Sequence, residues 1–194
     1  MRKKHNNNDL LKIGDQLFRE NGYHATGTEE ILEKGEYPRS SFYYHFKNKE
    51  GFGIKTLEFY GENLKNVLTS ILRDDQIKSP TERLKKYFFM ICAYNELKKY
   101  NNCCLVQRFS IETGSNEEVL KKTAYEQFSA WVTVAEECIK EGQKAKEIRD
   151  DISTNELSEF LFSMIYGGHT IGRISGKSNE LEKKMELAFK LIEA

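Results

Sequence analysis

The chain is expected to be all-α. Three observations predict this. Its 194 residues include only two prolines, β-branched residues form few runs, and Leu, Glu and Lys are abundant. Helix punctuation agrees: Ser79-Pro80-Thr81-Glu82 has the form of a capping box with proline at the first helical position, and Ser153 stands three residues before Glu156 in the same pattern.

The elements follow in order. Residues Met1–Asn8, MRKKHNNN, are polar and basic and read as a solvated arm, of a kind that can reach into a minor groove. Leu10, Ile13, Gly14, Leu17 and Phe18 keep the helical repeat and predict a first helix from about Leu10 to Asn21, stopped by Gly22. Thr26 with Glu29 is read as the capping box of a second helix, which buries Ile31-Leu32 and ends at Lys34-Gly35-Glu36. Pro38 suits a helix start, so a third helix should begin near Arg39, with Phe42 and Phe46 as its buried stripe.

Lys49 opens a long fourth helix reaching Ile71, and the box at Ser79 opens a fifth that runs to about Tyr100. A shorter apolar segment covers Cys103–Thr113. Asn116 is read as the cap of a seventh helix, with Val119, Leu120, Ala124, Phe128, Trp131, Val132, Ala135 and Ile139 on its buried side and Gly142 near its end. Ser153 opens an eighth helix to about Arg173, and Ser178 starts the last, with Leu181, Met185, Ala188, Phe189 and Ile192 inward.

Bulk properties narrow the function. Formal net charge is zero, so DNA binding would need a local basic face, which Arg39, Lys47 and Lys49 supply. Cys92, Cys103, Cys104 and Cys138 lack metal or disulfide spacing and no signal peptide precedes them, which predicts a reduced, cytoplasmic protein. The longest apolar run, Tyr87–Tyr94, is too short to cross a bilayer. Nothing calls for a cofactor or metal. No phosphate loop, His-Glu metal pair or nucleophile elbow suggests an enzyme, and His5, His24, His45 and His169 are scattered.

The second and third helices, joined by a tight turn, have the layout of a helix-turn-helix DNA reader. For base edges the candidates are Arg39, which can grip guanine, Ser40, and Tyr44, whose ring suits a thymine methyl. For phosphates they are Thr28, Ser41, Tyr43, His45 and Lys49, whose hydroxyls and cations hold register without reading sequence. A helical protein-interaction module without DNA binding is the competing reading.

The segments LLKIGDQLFRENGYHATGTEEI and PRSSFYYHFKNKEGF, between Leu10 and Phe52, resemble the N-terminal domain of the TetR family of bacterial regulators. The tract from Ser41 to Glu50 is the most specific part. The resemblance implies a nine-helix architecture, with a three-helix DNA-binding domain over 1–48 and a six-helix ligand-binding and dimerisation domain over 49–194. It implies DNA contacts at the same eight positions, and a homodimer formed through the last two helices, about Asn155–Arg173 and Asn179–Glu193. Gly167, Gly168 and Gly172 would allow close helix approach there. Partners would be a pseudopalindromic double-stranded operator and a small effector that releases it. The effector pocket would draw on Phe59, Asn63, Phe88, Tyr94, Cys104, Gln107, Phe109, Trp131, Tyr166 and His169. Cys104, beside Cys103 at a helix start, would also suit a thiol that senses oxidants or electrophiles. One departure stands out. The family usually has Ala-Gly in the interhelical turn where this chain has Gly35-Glu36, and a left-handed Glu36 costs on the order of 1 kcal/mol.

Overall fold

The computed structural model describes residues 6–114 and 117–194, which form nine α-helices among the described residues. These are α1 (Asn7–Asn21), α2 (Thr28–Lys34), α3 (Arg39–Phe46), α4 (Lys49–Leu72), α5 (Pro80–Leu97), α6 (Leu105–Glu112), α7 (Glu118–Lys144), α8 (Thr154–Ser175) and α9 (Glu180–Ile192). They divide into two compact units. One comprises residues up to Asn63 together with Cys103–Phe128, and the other Leu64–Asn102 together with Ser129–Ala194.

The first unit is built on aromatic rings. Phe18, Phe42, Phe52 and Phe109 have no exposed surface. Phe52, in the first turn of α4, meets Phe46 edge-on at 5.0 Å and Phe18 at 5.9 Å, with Phe42 tilted against it at 5.3 Å. Such pairs add about 0.5–1.5 kcal/mol each beyond the area they bury. Phe52 lies flush on α1 because residue 14 is glycine: a Cβ there would stand 2.6 Å from the ring. Two local features differ from the sequence expectation. Thr26 does not cap α2; it is wholly buried and donates to the Gly22 carbonyl at 2.7 Å, while Gly27 occupies the cap position without a side-chain bond. Helix α1 begins earlier than expected, at Asn7 instead of about Leu10, with Asn6 as its cap accepting from the Asn8 amide at 3.0 Å. Met1–His5 lie outside the described residues, as does Asn116, the expected cap of α7.

The second unit packs α5, α8 and α9 around Phe88, which meets Phe162 at 5.4 Å and Phe189 at 6.2 Å. Trp131 stands 6.4 Å from Phe162 and is 1% exposed. Arg83 is buried, donating to the Leu72 carbonyl and paired with Glu141. The box at Ser79 takes an unexpected form. Ser79 accepts from the Glu82 amide as predicted, but Glu147 accepts both the Ser79 hydroxyl at 2.6 Å and the Thr81 amide at 3.1 Å. The Ser153–Glu156 box is complete in both directions. Helix α5 stops at Leu97, short of Tyr100, because Lys99 and Tyr100 both turn left-handed. Asn179, not Ser178, caps α9, also left-handed at φ 59°. Val119, expected inward, is 55% exposed. Gly168 and Gly172 are used inside the subunit, where Leu181 and Tyr100 pack onto them; a Cβ at Gly167 meets nothing within 4 Å.

Gly14→Ala tests the close approach. The change would raise stability by up to about 1 kcal/mol in an open helix. Against Phe52 it is expected to lower stability by about 1–3 kcal/mol, read from the urea midpoint.

Candidate nucleic-acid interface

The reading surface is assembled by α2, the turn and α3. Gly35 closes α2 with ordinary helical backbone, and its lack of a side chain serves contact instead: a Cβ there would meet Leu10 at 2.4 Å. The left-handed residue is Glu36, at φ 45°, with its amide donating to the Glu33 carbonyl at 3.1 Å. The Tyr37 amide then returns to the Leu32 carbonyl at 2.9 Å. Pro38, extended at φ −64° and ψ 132°, leads into α3. The turn therefore keeps the geometry expected for the motif at the cost of one strained non-glycine residue.

Phe42 and Phe46 anchor α3 inward, so the outward face is fixed by their spacing. Arg39, Ser40, Tyr43, Tyr44 and His45 are exposed, Tyr44 at 82% and Tyr43 at 43%, while Ser41 and Thr28 are half-buried. The Tyr44 ring meets the His45 ring edge-on at 5.0 Å. Arg39 is ion-paired with Glu29 of α2. Hydrogen bonding to Glu29 and then its charge hold the Arg39 guanidinium above the usual arginine pKa. Glu29, expected in the capping box of α2, makes no cap and pairs with Arg39 instead.

Lys49 is placed differently from the other candidates. Its Nζ donates to the His24 carbonyl at 3.2 Å and lies 4.6 Å over the Tyr23 ring. Burial pulls its pKa below the usual lysine value, although Glu117 and Glu112 oppose the shift. The loop it holds, Gly22–His24, is also clamped from α6. The Glu112 carboxylate accepts the Tyr23 amide at 2.7 Å and the His24 amide at 3.3 Å, and the His24 ring nitrogen lies 2.9 Å from the Glu112 carbonyl. Gly22, at φ 96°, leaves room for that carboxylate: a Cβ would come within 2.5 Å of it. Arg108 completes the clamp, donating to the Arg19 carbonyl at 3.0 Å and pairing with Glu112 at 3.4 Å. No local pattern announces this contact, which joins residues 89 apart in sequence.

The expected pocket residues fall into both units. In the first, Phe109 is core, packed on Phe18 at 5.5 Å and Tyr23 at 5.0 Å. Phe59, Cys104 and Gln107 are half-buried and Asn63 is exposed. Cys104 is hydrogen-bonded to Tyr60, whose pKa burial pushes well above the usual phenol value. In the second unit Phe88 and Trp131 are core, His169 is buried with its ring 6.0 Å from Tyr100, Tyr166 is half-buried and Tyr94 exposed. A cavity of about 290 Å³ within that unit is lined by Phe89, Cys92, Glu96 and Leu97 among others, and by none of the predicted wall residues. No group of three or more His, Cys, Asp or Glu able to hold a metal occurs among the described residues, and no helix there is long and apolar enough to cross a membrane.

The family described as bacterial regulatory proteins, tetR family, matches residues 10–52, and the tetracyclin repressor-like C-terminal domain matches residues 80–188. The HTH-type transcriptional repressor DhaR of Mycobacterium sp. (strain GP1) is 30% identical over 94% of this chain and 90% of its own length. The HTH-type transcriptional repressor NemR of Escherichia coli (strain K12) is 22% identical over 94% and 93%. Among solved structures, a regulatory protein TetR from Rhodobacter sphaeroides superposes with a TM-score of 0.86 at 22% identity, over 95% of this chain and 97% of that one. A cysteine mutant of the regulator CifR, solved with double-strand operator DNA, gives 0.82 at 17% identity over 98% of each chain.

The Glu112 clamp can be tested directly. Glu112→Ala strips the acceptor from two amides, a loss of about 1–3 kcal/mol when such groups are left unsatisfied. Amide exchange at Tyr23 and His24 is expected to accelerate correspondingly, with Glu112→Gln intermediate.

Proposed function

Because this chain belongs to the TetR family of bacterial regulatory proteins, and with it is a helix-turn-helix DNA-binding transcriptional repressor, we propose how its residues carry that work. The observation that supports the reading most is the outward face of α3. A helix whose inward stripe is Phe42 and Phe46 presents Arg39, Ser40, Tyr43, Tyr44 and His45 together and carries no acid of its own. Arg39, Ser40 and Tyr44 contact base edges in a major groove; Thr28, Ser41, Tyr43 and His45 contact phosphates. Lys49 joins them only if it lets go of the His24 carbonyl. A reading domain followed by a ligand-binding and dimerisation domain is supported by the separate family matches at 10–52 and 80–188, while the compact units divide later than 48/49, at Asn63/Leu64, with Cys103–Phe128 in the first unit.

Two copies bind a pseudopalindromic operator, paired through α8 and α9. Support comes from Ile171, Ile174, Leu187 and Leu191, exposed at 39%, 78%, 57% and 51%, and from the open flank of Gly167. A small effector releases the operator by binding a second conformation more tightly. Helix α6 is suited to transmit this. Cys104 and Gln107, candidate effector contacts, stand at its start, and Arg108 and Glu112, which hold the loop before α2, stand further along it. The protein acts in the cytoplasm, where its operator is.

Fluorescence anisotropy with DNA from the gene's own upstream region tests the reading. Affinity is expected to fall steeply with salt, by about 0.9 in log K per log salt for each phosphate neutralised. Arg39→Ala is expected to lose roughly 5- to 150-fold on the operator, the value of one bidentate base contact, and little on random DNA. A double Ile174→Lys, Leu187→Lys variant is expected to sediment as a monomer and lose tight operator binding. Salt-insensitive binding, or none, would support the interaction-module reading instead.

A further inference from the structure

The ion pair between Glu29 and Arg39 has a consequence for sequence recognition. Glu29 is the second residue of α2 and Arg39 the first of α3. The two helix starts are held in register by the left-handed Glu36 and the extended Pro38. Both partners remain open to solvent, with side chains 68% and 62% exposed. The groove between them, about 510 Å³, is lined by Glu29, Glu33, Glu36 and Arg39 among others, with Arg39 as the one cation of its lining.

Carboxylates on a DNA-facing surface repel phosphates, so they need a different partner. The donors available in a major groove are the amino groups of cytosine and adenine, and a carboxylate suits the cytosine N4 amino group. A single G·C pair offers guanine O6 and N7 acceptors beside that donor. An opposite-charge pair of side chains matches it. Arg39 can keep Glu29 while reading guanine, since Glu29 takes only one of its five N–H donors. The pair also restricts the guanidinium before DNA arrives, which lowers the ordering cost on binding.

We infer that Glu29 is a specificity-determining residue of the operator-binding head, reading cytosine as Arg39 reads guanine, so that each half-site requires G·C where the pair stands. This rests on the reading of Arg39 as a base contact. Placement of an acid in the first turn of α2 would by itself serve only the helix dipole. That role affects stability and leaves base preference alone.

Binding-site selection from a randomised duplex pool separates the possibilities. The full chain, Glu29→Ala, Glu29→Gln and Arg39→Ala are compared at one salt concentration, with circular dichroism melts verifying each fold. Glu29→Ala is expected to lose roughly 5- to 100-fold of the preference for G·C at one position per half-site, with other positions unchanged. Glu29→Gln is expected to move that position toward adenine, which a glutamine pairs through N6 and N7. An unchanged base profile in both Glu29 variants, with all DNA bound more tightly by one common factor, overturns the inference and leaves Glu29 as an electrostatic brake. A folded Glu29→Ala protein that binds no DNA overturns it too, since a single base reader does not carry the phosphate contacts. An Arg39→Ala profile identical to wild type removes the underlying reading itself, an outcome distinct from failure of Glu29 alone.

Discussion

Phe52 is the point at which the reading head is held. Its ring touches Phe46 and Phe42 of α3, Phe18 of α1, and the bare backbone of Gly14. One side chain in the first turn of α4 thereby ties α4 to α1 and to α3, and the pose of α3 follows from it. Close-packed interiors do not deform gradually, so α3 moves with this cluster or not at all. The exposed residues of α3 owe their common direction to that burial, since Phe42 and Phe46 leave Arg39, Tyr43 and Tyr44 no other face.

The second constraint joins this head to α6. Two consecutive amides, of Tyr23 and His24, converge on the Glu112 carboxylate, with Gly22 shaped to admit it and Arg108 bonded on either side. Charge-assisted bonds of this kind are roughly twice as strong as neutral ones, and here they bear on main chain. Phe109, from the same helix, packs on Phe18 and Tyr23. A shift of α6 is therefore felt in α1 and in the loop entering α2 by two separate routes, one polar and one apolar. Lys49, tied to the His24 carbonyl, connects the same loop to the start of α4.

Much of this was legible in the sequence because it is local. The 3.6-residue repeat located the helices, Pro38 and the Phe42–Phe46 spacing gave α3 and its outward face, and Ser153 with Glu156 gave the start of α8. The failures were also physical. Thr26 has the right side chain for a cap but donates to a carbonyl behind it, which left Glu29 free for Arg39. Ser79 found Glu147, a residue 68 positions away, and Glu112 found Tyr23 across 89. No periodicity encodes partners at that distance. Gly168 and Gly172 looked alike with Gly167 in sequence, yet only the neighbours supplied by folding, Leu181 and Tyr100, separate them.

In the proposed complex, α3 presents Arg39 to guanine in successive major grooves of a two-fold operator. Methylation interference tests it most directly, because a methyl group on guanine N7 blocks the contact an arginine makes there. Interference is expected at guanines in two symmetric half-sites centred about 10–10.5 base pairs apart, or a multiple of that spacing. The Arg39→Ala protein should no longer distinguish methylated from unmethylated DNA at those positions. Interference confined to adenine N3 in the minor groove, or binding indifferent to N7 methylation, would contradict it.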